Sequence, residues 1–183
     1  MKFYSMLKKS HPFLHELFKA CIHYKAKEVI ETLKAYYRWK IFHEWEFVES
    51  RQEVRHLKII RAGFKMKYKL GTQADVIWKM RRVNRVGSTI YMLVIHEIKT
   101  GRFDINEIWE KYREIQGSRI LLKREDKKGV ANRVLVWGWK DEILRQKINP
   151  KLENSIMIKM IPLEYILSIM LKELAEIGFV LEE

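Results

Sequence analysis

Asp75, Glu97 and Lys99 are charged residues set inside otherwise apolar, strand-like sequence, Gln73-Ala-Asp-Val-Ile-Trp78 and Tyr91-Met-Leu-Val-Ile-His-Glu-Ile-Lys99. A charge in such a setting is costly unless it is paired or metal-bound. Asn84 to Ser88 reads as a turn, and a hairpin centred on Val86 sets Asp75 opposite Glu97. Side chains on a strand return to the same face every second residue, so Lys99 lies beside Glu97 and diagonal to Asp75. Two unpaired carboxylates about 5 Å apart repel, and a hard, oxygen-seeking ion such as Mg²⁺ between them removes the conflict. Lys99 can then face a phosphate or its attacking water. The chemistry within reach of this trio is metal-assisted hydrolysis of a phosphate ester.

The elements that must position the trio follow from periodicity. Strands are expected near 73–82 and 89–99, the second apolar on both faces until Glu97, as a central strand should be. Before them, Phe64, Met66, Tyr68 and Leu70 alternate with Lys65, Lys67 and Lys69, a half-exposed strand ending at a tight Gly71-Thr72 turn. Phe47 through Ala62 reads as a helix, because Val54, Leu57 and Ile60 recur every three residues and Gly63 supplies a stop. After the trio, Asp104 opens a helix whose buried stripe is Ile105, Ile108, Tyr112 and Ile115, with Gly117 at its end. Val130 to Trp139 suits a strand, Asp141 to Lys147 a short helix, Ile156 to Met160 a short strand and Leu163 to Ile177 a closing helix. Residues 11 to 37 carry helical spacing after His11-Pro12. The reading is α/β: a helical N-terminal arm over 1–45, a core over 46–140 ordered helix, three antiparallel strands, helix, strand, and a C-terminal helix and strand extension of the same domain over 141–183.

Composition bounds the partner. The chain has 183 residues, enough for one well-buried domain with extra helices. Its 36 Lys and Arg against 23 acids give a net charge of +13, spread along the length, which favours a polyanion over a neutral metabolite. The only aspartates are Asp75, Asp104, Asp126 and Asp141, and Asp75 alone falls in a strand pattern. A single cysteine, Cys21, excludes intrachain disulfides and four-cysteine zinc or iron-sulfur sites, and points to a reducing, intracellular compartment. Neither a signal peptide nor a membrane span is expected. Abundant Lys, Glu, Arg and Ile resembles thermophile composition.

With the trio placed on this order, the chain resembles the PD-(D/E)xK nuclease superfamily, and within it the archaeal Holliday-junction resolvases and related viral or plasmid nucleases. The resemblance covers about 46–140 and rests on Glu53-Val-Arg, Ala62-Gly63-Phe64, Gly71, Ala74-Asp75-Val-Ile and Ile95-His-Glu97-Ile-Lys99-Thr. It implies a restriction-endonuclease-like core, a homodimer, branched or duplex DNA as substrate, and a prokaryotic cytoplasm. It also implies Glu53, Asp75 and Glu97 as ligands of Mg²⁺, with Mn²⁺ substituting, and Lys99 positioning water; all four are then catalytic. Ala74 stands where the motif has proline, and Glu49 is the alternative to Glu53, one turn away. Within enzymes, the alternative is a nuclease of replication or repair acting on ends, flaps or single strands. Outside them, it is an inactive, basic DNA-binding protein in which Asp75 and Glu97 are structural.

Other groups carry bland readings beside functional ones. Lys65, Lys67, Lys69, Arg81, Arg82 and Arg85 are expected to form a basic edge near the trio that contacts phosphates without reading sequence. Tyr112 and Gln116, with Lys111 and Arg113 as alternatives, lie on the helix after the motif, where related nucleases place groups near DNA. His11, His15, Cys21 and His23 fit no standard zinc spacing and read as surface and packing residues. His96 is expected on the face opposite Glu97, packed rather than catalytic. Tyr36, Tyr37, Trp39 and Trp45 read as core or interface aromatics.

Overall fold

The first helix, α1 (His11–Tyr24), forms because Leu14, Phe18, Cys21 and Ile22 fall three or four residues apart and can all be buried on one side. The chain turns at Lys25, and α2 (Ala26–Tyr37) buries Val29, Ile30 and Leu33 the same way. A short α3 (Lys40–Glu44) follows. The computed structural model describes residues 11–37, 40–115, 120–123, 130–153 and 158–176.

Beyond α3 the segment expected as one helix is two strands, β1 (Glu46–Gln52) and β2 (Arg55–Ala62). Between them Glu53 adopts a left-handed φ of 50°. Recurrence every third residue did not separate helix from strand here. Cross-strand pairing decided it: β1 pairs with β4 (Val76–Val83), and β2 pairs with β3 (Lys65–Gln73). Gly63, read as a helix stop, instead makes the hairpin turn between β2 and β3. Its φ of 61° supplies the positive value that a II′ turn needs at its first loop position. The expected Gly71-Thr72 turn is likewise part of β3, which continues to Gln73.

The β4–β5 hairpin, with β5 spanning Thr89–Lys99, has the register read from the sequence, Val76 opposite His96 and Val83 opposite Thr89. Asn84 fixes its turn: the side-chain oxygen accepts from the Val86 and Ser88 N–H groups, at 3.1 and 2.8 Å. After β5, Asp104 caps α4 (Ile105–Tyr112) by accepting from the Asn106 N–H at 2.8 Å, and a 3-10 turn, Arg113–Ile115, continues it. The expected stripe of Ile105, Ile108, Tyr112 and Ile115 is buried. β6 (Ile120–Leu121), β7 (Val130–Gly138), α5 (Lys140–Leu144), α6 (Pro150–Glu153), β8 (Ile158–Pro162) and α7 (Glu164–Glu176) complete the described elements.

The fold is α/β with two sheets. The larger is five-stranded and ordered β1-β4-β5-β7-β8, its first three strands antiparallel and its last three parallel. The smaller is three-stranded and antiparallel, ordered β3-β2-β6. Helix, three antiparallel strands, helix and strand is the expected order, but the pieces differ. The antiparallel strands are β1, β4 and β5, with the β2–β3 hairpin inserted after the first, and the preceding helices are α1 to α3. One face of the large sheet packs Val76, Trp78, Met92, Val94 and Trp137 against α1, α2 and α7; the other packs Ile77, Leu93, Ile95 and Val134 against α4 and β6. The helices of the N-terminal arm thus build a main core rather than an appendage. Trp78 ties this layer to the sheet by donating its indole N–H to the Ile22 carbonyl at 3.0 Å. Among the described residues no helix is long and apolar enough to cross a membrane.

Gly71 sits against the ring of His56, a buried side chain on the neighbouring strand, and a Cβ there would overlap the imidazole. Gly71→Ala is therefore expected to cost about 1–3 kcal/mol by overpacking. The same change should cost much less in a His56→Ala background, read as urea midpoints; equal losses in both backgrounds would exclude this contact as the cause.

Candidate active site

Asp75 is the last residue before β4, and its side chain extends the ladder. Oδ2 accepts the Ile98 N–H of β5 at 2.7 Å, while its carbonyl accepts from the Glu53 N–H at 3.0 Å. The β1–β2 turn and the start of β4 are thereby stitched together, helped by Ala74 N–H to the Val54 carbonyl at 3.2 Å. The sequence expectation that Asp75 and Glu97 meet at one sheet end holds for the backbone register. Their carboxylates, however, do not stand side by side on one face. Asp75 reaches along the sheet toward Ile98, whereas Glu97 turns into the layer of α4. The reason is the break in strand geometry before Val76, which frees Asp75 from strict alternation.

Glu97 is buried, 3% exposed, and four hydrogen bonds from three donors converge on it. Lys99 Nζ lies 2.8 Å from Oε1, Lys111 Nζ lies 2.9 Å from both oxygens, and the Tyr112 hydroxyl donates to Oε2 at 2.6 Å. Burial, then the charge of Glu97, push the Tyr112 hydroxyl far above the ordinary phenol range, so it remains a donor. Lys111 is thus part of the site; it was expected only as a DNA contact. Helical phase places Lys111 and Tyr112 over Glu97, and the sequence marked both residues without indicating this partner.

Sequence reasoning expected a helix over 11–37 but missed that its first part, α1, reaches the site. His15 Nε2 stands 3.4 Å from Asp75 Oδ1. One turn further, Lys19, 4% exposed, bridges Glu16 Oε2 and Glu53 Oε1, each at 2.6 Å. Glu53 is therefore not a helix acid; its backbone adjoins Asp75, but its carboxylate is turned to Lys19. It occupies a turn, is largely exposed and is held by Lys19. The alternative, Glu49, lies on β1 and pairs with Arg51. The acid that α1 carries here is Glu16, bound to His15 and Lys19. His15 was read only as a surface or packing residue and nothing singled out Glu16 or Lys19, because their relevance depends on α1, rather than 47–62, covering this end of the sheet.

Burial opposes the charged form of Asp75, but the hydrogen bonds from His15 and Ile98 and the charges of His15 and Lys99 outweigh it, holding its carboxyl below the ordinary value. The hydrogen bond to Asp75 is the main cause that raises His15, against burial. The depressed Asp75 contributes stability above about pH 4 and loses it as pH falls; the raised His15 contributes fully below about pH 6.5 and loses it as pH rises through its folded value. In metal-free buffer His15→Gln should lower stability by about 0.5–1 kcal/mol near pH 5. The difference should shrink by pH 8.5, and a deficit unchanged between the two would refute the coupling.

The basic residues do not form one edge. Lys65, Lys67 and Lys69 lie on β3 of the small sheet. Arg81, Arg82 and Arg85 lie at the opposite end of the β4–β5 hairpin, with Arg81 about 20 Å along β4 from Asp75. Arg81 pairs with Glu46 at 2.8 Å and Arg82 with Glu44 at 2.9 Å, over the Trp45 ring. Gln116, Gly117 and Trp39 fall outside the described residues. His96 packs as expected, between Trp78 and Trp137, and accepts from the Trp137 indole at 3.0 Å; burial pushes its imidazole down to about 3. His23 pairs with Ser50 at 2.7 Å and Cys21 is buried, away from any zinc arrangement.

Among the described residues no three His, Cys, Asp or Glu side chains are grouped closely enough to hold a metal. Mg²⁺ does not require such a group, since one or two carboxylates plus substrate phosphates and water complete its shell. The donor set fits on that ground: Asp75 and Glu97 offer only oxygen, meet at one sheet end, and share the neighbourhood of Lys99. A cleft beside Glu97 and Lys99, which Asp75 does not line, also takes in Arg102, Phe103, Asp104, Glu107, Ile108 and Lys111, with room for a phosphate group. No family model, curated protein or solved structure matches this chain.

Proposed function

We propose that the protein is a Mg²⁺-dependent DNA endonuclease with a restriction-endonuclease-like core, acting on branched or duplex DNA as Holliday-junction resolvases do. The observation that supports the reading is that Asp75 and the Glu97–Lys99 pair lie at the same end of β4 and β5, Lys99 near enough to favour the Asp75 carboxylate, with a cleft edged by Arg102 and Lys111 beside Glu97 and Lys99. Asp75 and Glu97 would hold the cation, Mn²⁺ substituting. Bound there, Mg²⁺ would supply charge stabilisation at the phosphoryl oxygens and an acidified water. Lys99 adds a fixed positive charge at the attacked phosphate, while Tyr112 and Lys111 orient Glu97. Two copies of the chain would offer two such sites, enough to cut paired strands.

A second reading has its own observation. Three donors already satisfy both oxygens of Glu97, as they would in a structural ion-pair cluster. It makes the chain a DNA-binding protein without cleavage. The discriminating experiment offers a labelled four-way junction, a linear duplex and a single strand of matched sequence, each with Mg²⁺ or with EDTA. Paired cuts confined to the junction support the resolvase. Cuts in the other substrates support an end-, flap- or single-strand-processing nuclease. Binding with no cutting in Mg²⁺ or Mn²⁺ supports the second reading.

A further inference from the structure

The β2–β3 hairpin presents a row of lysines that no intramolecular interaction explains. Strand alternation puts Lys65, Lys67 and Lys69 on one face of β3, the edge strand of the small sheet, and all three are exposed. Among the described residues none of the three is in an ion pair. Their neighbours sharpen the point. Lys69 is directly opposite Lys58 in the register, a like-charge pair that destabilises a ladder. Only Lys58 finds an acid, Glu114 at 3.8 Å. The other face carries the apolar duty, with Leu57 and Ile59 packed on the core beneath α4.

We infer that this hairpin is an arm that grips the phosphate backbone of duplex DNA next to the candidate active site. Alternate residues on a strand stand about 6.7 Å apart, comparable to the through-space separation of successive phosphates on one DNA strand, whose winding adds to their axial rise of about 3.4 Å, so the row can meet three phosphates in succession. The lysine face of β3 carries no aromatic side chain, the exposed Phe64 lying in the turn and Tyr68 on the other face: Lys67 stands opposite Ile60, and Lys69 opposite Lys58. Single strands are held instead on aromatic stacking platforms. Lysine contacts of this kind give affinity without sequence preference.

The arm is rooted at the site. β3 leads through Gln73 and Ala74 to Asp75, and the Thr72 hydroxyl donates to the Lys111 carbonyl at 3.2 Å, on the helix turn that holds Glu97. From Asp75 to Lys65 the extended chain spans at most about 33 Å. That reach equals roughly ten base pairs. The arm thus names the substrate of the proposed nuclease site as DNA with about ten base pairs of duplex beside the cut; only the position of the cut rests on the nuclease reading.

The test is binding of fluorescent DNA in Ca²⁺, which permits binding to be read without cutting, by wild type and by Lys65→Gln/Lys67→Gln/Lys69→Gln, with melting temperature as the check on folding. Each phosphate contact contributes about 0.9 to the slope of log affinity against log salt, so the triple variant should lower the slope on a 20-base-pair duplex by about 2.7. The wild-type advantage should then be roughly 40-fold greater at 50 mM than at 200 mM salt. Lys67→Gln alone should lower the slope by about 0.9, which keeps the test valid if the triple variant folds poorly. Shortening the duplex until it no longer spans the three contacts should erase the wild-type advantage. An unchanged slope, an advantage independent of duplex length, or an equal loss on a matched single strand would overturn the arm. Since none of these readouts involves cleavage, a protein that never cuts DNA could still pass, and an active nuclease could still fail.

Discussion

Asp75→Asn is expected to abolish cleavage while leaving the fold and DNA binding intact. The amide oxygen of asparagine can still accept the Ile98 N–H, so the end of the β4–β5 ladder keeps its hydrogen bond. What is lost is a negative charge that the surroundings hold ionised against burial. Removing one preorganised charge-stabilising group from a reaction of this class costs about 10²–10³ in rate. Loss of a metal ligand should reach at least the upper end of that range. Lys99→Ala should fall within it, with a further signature: Glu97 keeps Lys111 and Tyr112 as partners, so stability changes little. Rates from single-turnover cleavage and melting temperatures from the same preparations would check both. If both variants instead lose stability and a weak wild-type cleavage is untouched, the cluster is structural.

The largest effect on stability is expected at Trp137. This side chain is fully buried between the sheet and the helical layer, and its indole N–H supplies the hydrogen bond to His96. Trp137→Ala leaves both a cavity and a buried imidazole nitrogen without its donor. Large-to-small changes of this size cost about 3–5 kcal/mol. At roughly 2–4 °C per kcal/mol for a chain of this length, the melting temperature should drop by at least about 6 °C. Trp137→Phe should recover most of the packing and none of the hydrogen bond. A drop of a degree or two for the alanine variant would mean that the layer does not pack as described.

How much of this was legible in the sequence varied with the kind of signal. The β4–β5 hairpin was readable to the residue, because Asn84 and Gly87 enforce the turn locally and the flanking apolar runs have only one register that fits. α4 was readable for the same reason, with Asp104 as a cap and Ile105, Ile108 and Tyr112 as a stripe. The segment 47–62 was not. Val54, Leu57 and Ile60 satisfy a helical spacing, and nothing local announces that Glu53 will adopt positive φ and split the segment into strands. That misreading moved the site as well. Once 47–62 is taken as the helix over the sheet, Glu53 becomes the third acid and α1 drops from view. The pairings of His15 with Asp75 and of Lys19 with Glu53 are tertiary facts, joining residues far apart in the chain, whereas Glu16–Lys19 is a local pair within α1. The backbone approach of Asp75 to Glu97 was still legible, because charge inside apolar sequence does not depend on which helix lies above it.

The most direct test of the central claim is single-turnover cleavage of a labelled four-way junction and its linear duplex control across a Mg²⁺ titration, with wild type, Asp75→Asn and Glu97→Gln. The account predicts wild-type cutting that rises and saturates with Mg²⁺, with neither variant cutting at any concentration although both bind DNA. Cutting by wild type that both variants match, or binding without cutting in Mg²⁺ and Mn²⁺ alike, would contradict it.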